Sequence, residues 1–507
     1  MKKVLEKLNL DYMKQMCPIL IIVVLICLPF MNYHLTTDGY QIMYNTSTYL
    51  ENPLISFSGR PISDFILYYL NSIGMNINIY QILFNFLGCV ITFIASVKLY
   101  RIINNLIQNQ KKSFFLLMMS SIFIFYNSFG FELVLFNVFF SISLQYLLIV
   151  KSVEYIVKEL NTKNIVVATL LTFLGLCIYQ GASVLFLPLA LILIGYKNKN
   201  EKFAMFIIDF IKIFAIYGFA CVFNLLYIEI LPVVSRYDTG VTILESIKSI
   251  LSRQPFLWES SFNIFPKYTF LLSNIVLTLL SLILIIRNKD KINSKLNQII
   301  TLIGVILSTI VFSYLPLVFS NTLLTPRVVM IISSLPGLLL LFILMFNNIE
   351  YDNKKINLYS MCFAFVILYS FLLIHASSIL VDSLVKTNKE DALEIKLIDE
   401  EIKQKSSENV NYLVFFTDQS IIWGRNGKFL GLDIAIRAHA TPWSRLYATN
   451  YYADEDYKEK TNDLNLESMQ YQNMYHKYEK YCTDNNWDSY NSEQINVYKD
   501  TAFICVY

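Results

Sequence analysis

The sequence predicts an all-α polytopic membrane protein of about eleven transmembrane helices, followed by a small C-terminal α/β domain. Three observations predict it. Hydrophobic residues make up 55% of the 507-residue chain and charged residues only 16%, where a soluble domain carries about 25%. Charge-poor stretches long enough to cross a bilayer recur along residues 1–381, with Lys and Arg collected in alternate connectors. From residue 382 to residue 507 the chain turns charged and polar and its apolar segments become short. The net charge of +3 is too small to suggest a nucleic-acid partner.

The first apolar run, residues 18–30, follows a Lys-bearing start as a signal peptide would. No small-residue cleavage site comes after it, so it reads as a retained span. Further runs cover residues 76–97, 113–131, 133–150, 268–286, 296–326, 328–349 and 356–374. Residues 203–228 are interrupted only by Asp209 and Lys212, three apart and able to pair on one helix face. Residues 164–196 are too long for one straight span.

Basic residues sort the connectors. Lys2, Lys3, Lys7 and Lys14, then Lys98 and Arg101, Lys151 and Lys158, Lys197 and Lys199, Arg287 and Lys291, and Lys354 and Lys355 form one class. Assigning that class to the cytoplasm satisfies the positive-inside rule, except for the long loop 232–267 with its four basic residues. The N-terminus is then cytoplasmic. Residues 164–196 become a hairpin with Tyr179-Gln180-Gly181-Ala182 at its outer tip. The last span, ending near residue 381, delivers residues 382–507 to the extracytoplasmic side of the cell membrane.

In that tail YLVFFT (Tyr412–Thr417) and TAFICVY (residues 501–507) read as strands, and LDIAIRAHA (residues 432–440) as a short helix. Six of the eight cysteines lie in apolar stretches and read as small hydrophobes; Cys482 and Cys505, in the polar tail, could pair.

Polar interest concentrates on the external segments. Residues 34–75 form a first external loop with juxtamembrane helices, and there Asp38, Glu51, Arg60 and Asp64 stand among apolar and aromatic residues. The others are the tip at Tyr179-Gln180, the loop with Arg236, Asp238 and Arg253, and Arg327 at the mouth of a span. A carboxylate at such a surface can deprotonate an acceptor hydroxyl or hold a divalent metal, and an arginine can grip a lipid-linked phosphate with two parallel hydrogen bonds. Each residue also has a plainer role open to it. Asp38 could cap a juxtamembrane helix, Arg60 and Arg327 could snorkel to headgroups, and Gln180 could satisfy the backbone of a broken hairpin.

A first span, then Asp38, then Gly59-Arg60-Pro61 about twenty residues later, resembles the Gtr-type glucosyltransferases that modify bacterial surface glycans such as O-antigen. Tyr179-Gln180 on an apolar hairpin and Pro326-Arg327 before a late span are similar to further marks of that family. The resemblance implies a GT-C type fold and a hexosyl transfer from a polyprenyl-phosphate-linked sugar to a cell-surface glycan. It implies Asp38 as the catalytic carboxylate, Arg60 and Arg327 toward the donor phosphate, and Gly59, Tyr179 and Gln180 along the sugar pocket. No cofactor is established by it; a divalent metal, Mg2+ or Mn2+, would have Asp38 as its ligand. The chain departs from the family pattern at Thr37-Asp38, where many members show two adjacent acidic residues. Two other classes fit a polytopic chain: a transporter or flippase for lipid-linked glycans, and an assembly protein acting through its tail. The nearly charge-free spans disfavour transport.

Overall fold

A computed structural model describes residues 16–44, 60–107, 113–136, 138–230, 242–288, 290–318, 325–346, 358–406, 409–417, 437–460, 468–485 and 490–506. Two compact units divide the chain. The first comprises Met1–Asn32 and Leu50–Leu380, and the second Tyr33–Tyr49 and Val381–Tyr507.

The first unit is helical. Among the described residues seven helices are long and apolar enough to cross a membrane, the last of them running on into the second unit, and four apolar helices are shorter. The shortest of the latter, Phe114–Phe125, has 12 residues and covers about 18 Å, against a hydrocarbon core of about 30 Å. The apolar run 113–131 does not continue as helix because the chain turns at residues 126–130. There Asn127 Oδ1 accepts the Gly130 amide at 2.7 Å, and the Ser333 hydroxyl at 3.0 Å. The hairpin of residues 164–196 is broken as well, into Thr162–Leu176, Gln180–Ser183 and Phe186–Lys197.

Burial sorts these helices into a centre and a rim. Leu335–Phe346 is buried along its whole length, and Phe114–Phe125 and Phe186–Lys197 nearly so. Phe203–Ile230 and Thr269–Arg287 expose one apolar side, which includes Ile211, Phe219, Leu272 and Leu279. Such a surface suits a hydrocarbon solvent, where tight packing rather than the hydrophobic effect draws helices together. Gly337 illustrates the packing. A Cβ there would stand 2.8 Å from the Ile124 amide nitrogen and 2.9 Å from the Phe123 carbonyl carbon, so only glycine lets these two backbones meet. Some polar side chains find backbone partners on neighbouring segments: Ser152 Oγ donates to the Ala168 carbonyl at 2.9 Å, and Asn297 Nδ2 to the Glu201 carbonyl at 3.0 Å. Asp209 pairs with Lys212 Nζ at 3.0 Å, as the spacing predicts, and also accepts from Asn198 Nδ2 at 2.7 Å.

Helix Leu358–Lys405 runs 48 residues without a break. Its polar half keeps the helical path through pairs four residues apart, Asp382 with Lys386 and Asp399 with Lys403, both at 2.7 Å.

The second unit is an α/β sandwich. Its four strands, β1 (Tyr412–Thr417), β2 (Lys458–Glu459), β3 (Ile495–Tyr498) and β4 (Thr501–Val506), lie in the order β2-β1-β4-β3. β1 is parallel to β2 and β4, while β3 and β4 are antiparallel. Alternate residues of β1 and β4 serve two cores. Leu413, Phe415, Ala502 and Ile504 pack with Ile398 and Ile402. Val414, Phe503 and Cys505 pack with Tyr471, Tyr475 and Tyr478 of helix Met469–Asp484. Burial on both faces explains why these strands read as continuous apolar runs. Cys482 and Cys505 form a disulfide.

The short helix expected at residues 432–440 is corrected by its described part. Arg437–Ala440 is a turn, because its polar groups go to tertiary partners: the Ala438 amide to Asp391 Oδ2 at 2.8 Å and the Ala438 carbonyl to Ser444 Oγ at 2.7 Å. Residues 432–436 lie outside the described residues.

Candidate functional site

Helix Pro61–Ser72 begins with proline, whose fixed φ suits a first helical position, and Arg60 immediately precedes it. Two hydrogen bonds dock this helix start onto the hairpin tip. The Ile62 amide donates to the Cys177 carbonyl at 3.1 Å, and Ser63 Oγ to the Ile178 carbonyl at 3.1 Å. The tip is fixed from its other side by Gln145 Nε2, which donates to the Tyr179 carbonyl and to Ser183 Oγ, each at 2.7 Å. With both backbones held, the Arg60 guanidinium carbon sits over the Tyr179 ring, 4.4 Å from its centroid.

Tyr179 is 4% exposed and reaches the third segment. Its hydroxyl donates to the Arg327 carbonyl at 3.1 Å. Gly181 keeps that approach close, since a Cβ there would meet Tyr179 Cε1 at 2.9 Å and the Val328 carbonyl oxygen at 3.2 Å. Gln180, half-buried, opens the short helix Gln180–Ser183. The structure thus brings Arg60, Tyr179 and Arg327 into one cluster, although 267 positions separate the two arginines.

A fourth member was not singled out from the sequence. Glu132 is fully buried on the short helix Phe131–Leu135. Its Oε2 accepts the Arg327 backbone amide at 2.8 Å and its Oε1 accepts Arg327 Nη1 at 3.3 Å. The guanidinium carbon of Arg327 also lies 4.4 Å from the centre of the Phe136 ring. The available signal was that Glu132 is the sole charged residue between Lys112 and Lys151. A buried carboxylate costs several kcal/mol unless it is paired, so the ion pair accounts for its presence.

Asp38 belongs to the second unit, exposed in the first turn of helix Thr37–Tyr44. That segment is fastened within its unit. Asn388 brackets Leu35, accepting its amide and donating to its carbonyl, both at 2.8 Å. The hydroxyls of Tyr40 and Tyr452 are 2.6 Å apart. Gly59, Arg236 and Asp238 lie outside the described residues, and Arg253 closes helix Ile243–Ser252. Among the described residues no group of three or more His, Cys, Asp or Glu is placed to hold a metal ion.

The second unit holds its own buried charges. Arg437 bonds through Nε to Asp391 at 3.2 Å and through Nη2 to Glu394. His439 is fully buried beside them, with its Nε2 3.9 Å from Glu394 Oε1. Burial and the positive charges of Arg437 and Arg445 push its pKa down to about 3, so its imidazole is neutral.

Apolar helices with a cluster of arginine, tyrosine and a buried carboxylate at their connections define a polytopic protein whose polar chemistry lies at helix ends. The chain belongs to the family described as Glucosyl transferase GtrII, which matches residues 30–337, more than half its length. It is a glycosyltransferase. Asp38, Arg60, Glu132, Tyr179, Gln180 and Arg327 all fall within the matched segment. A comparison with curated proteins finds no match.

Proposed function

We propose that this protein transfers a hexose, glucose by its family, from a polyprenyl-phosphate-linked donor to a cell-surface glycan at the outer face of the membrane. The observation that carries the reading is the pair of arginines joined through Tyr179, which sets two guanidinium groups, one of them oriented by Glu132, among apolar helices. Such a site suits a substrate that joins an anionic phosphate to a hydrocarbon chain. The placement of basic connectors supports the outer face.

In the proposed reaction an acceptor hydroxyl oxygen attacks the anomeric carbon and gives its proton to a carboxylate base, the role that the family resemblance implies for Asp38. The bond between the anomeric carbon and the phosphate oxygen breaks, and the polyprenyl phosphate leaves with the electron pair. Arg60 and Arg327 stabilise the charge that grows on the leaving phosphate, while Tyr179 and Gln180 line the sugar pocket.

The test compares Arg60→Lys and Arg327→Lys with the parent in proteoliposomes while polyprenyl-phosphate glucose is titrated. A lysine keeps the charge but lacks the planar fork, so both variants should accumulate normally and use the donor poorly. Parental donor dependence and turnover in both would assign these arginines to interfacial anchoring instead.

A further inference from the structure

We infer that Glu132 is a positioning residue for sugar transfer: it fixes the Arg327 head group in the orientation that meets the donor phosphate. The inference rests on the donor-phosphate reading of Arg327 given above.

An arginine that only anchors a helix at the interface needs water or lipid headgroups around its tip. Arg327 is held differently. One buried carboxylate takes both its backbone amide and its Nη1, so main chain and side chain are tied to the same group. Phe136, four residues after Glu132, provides an aromatic bed under the guanidinium. The Tyr179 hydroxyl donates to the Arg327 carbonyl. Together these contacts fix where Arg327 leaves the backbone and how its plane is turned. The side chain nevertheless remains 25% exposed, while that of Glu132 is 1% exposed. This arrangement holds a cation at a surface in a set orientation, and its carboxylate faces the arginine rather than a substrate. Orientation matters because a guanidinium grips phosphate through two parallel bonds, and a turned plane offers only one.

The experiment uses the full-length protein in proteoliposomes with polyprenyl-phosphate glucose as the probe. It compares Glu132→Gln, Glu132→Asp, Arg327→Lys and the double variant Glu132→Gln/Arg327→Lys. Rates are taken per folded protein, and melting is recorded alongside. Loss of a charged hydrogen bond predicts a donor KM raised about ten- to hundredfold in Glu132→Gln, with a smaller change in kcat. Glu132→Asp keeps the charge and should recover part of that loss. The double variant should use the donor no worse than Arg327→Lys alone, because both changes remove one function. If Glu132→Gln does not accumulate, Glu132→Asp carries the test, and a donor KM above the parental value is the expected result. A parental donor KM in the Glu132 variants beside an impaired Arg327→Lys would overturn the inference and leave the donor-phosphate reading standing. A parental donor KM in Arg327→Lys would remove that reading and the inference with it.

Discussion

Replacing Tyr179 separates the two contacts by which it joins the arginines. Tyr179→Phe deletes the hydroxyl that donates to the Arg327 carbonyl at 3.1 Å and leaves the ring beneath Arg60. A buried neutral hydrogen bond contributes about 1 kcal/mol net, equivalent to about a fivefold loss in kcat/KM for the donor. Tyr179→Leu also removes the aromatic face 4.4 Å from the Arg60 guanidinium carbon. That contact adds about 1–2 kcal/mol in a partly desolvated setting, for a combined loss of about 30- to 150-fold. The assay is donor-titrated transfer in proteoliposomes, normalised to folded protein by melting. Equal impairment in the two variants would show that the ring face contributes nothing, and parental activity in Tyr179→Leu would refute the linkage altogether.

Asp38→Asn should lower transfer by about two to four orders of magnitude without reducing membrane abundance, since it removes the charge and keeps the shape. Parental transfer would show that this carboxylate is not the base. Gly337→Ala should destabilise the helical unit by about 1–3 kcal/mol, because the new Cβ meets the backbone of Phe123 and Ile124; an unchanged melting temperature in detergent would contradict that packing. His439, held neutral with a native pKa of about 3, binds a proton more readily when unfolded, so acid weakens the second unit. Relative to the parent, His439→Gln should therefore gain roughly 1.4 kcal/mol per pH unit between about pH 6 and pH 4. Hydrogen exchange of the β1 and β4 amides in the full chain reads this, and parallel pH profiles would refute it.

The polytopic helical character was legible because the solvent around a membrane helix dictates composition over long windows. The strands at Tyr412–Thr417 and Thr501–Val506 were legible because each is apolar on both faces. Ion pairs across long separations were not. Glu132 and Arg327 stand 195 positions apart, and Asp391 and Arg437 stand 46 apart, with no local spacing that links them. Within residues 113–131 the helix ends at Phe125, where Asn127 captures the Gly130 amide, a tertiary choice that uniform hydropathy conceals. The turn at Arg437–Ala440 has the same origin, since Asp391 takes the amide that a helix would have used. Among the expected site residues, Arg60, Tyr179 and Arg327 could be chosen one by one, but the carboxylate that holds the last of them had no signal beyond its isolation among apolar neighbours.

The most direct measurement of the central claim is the mass of the surface glycan from cells with and without this protein. Transfer from a lipid-linked hexose predicts that the glycan loses a hexose-sized increment when the protein is absent and regains it on re-expression, but not with Asp38→Asn. An identical glycan mass in both cells would contradict the proposed transfer.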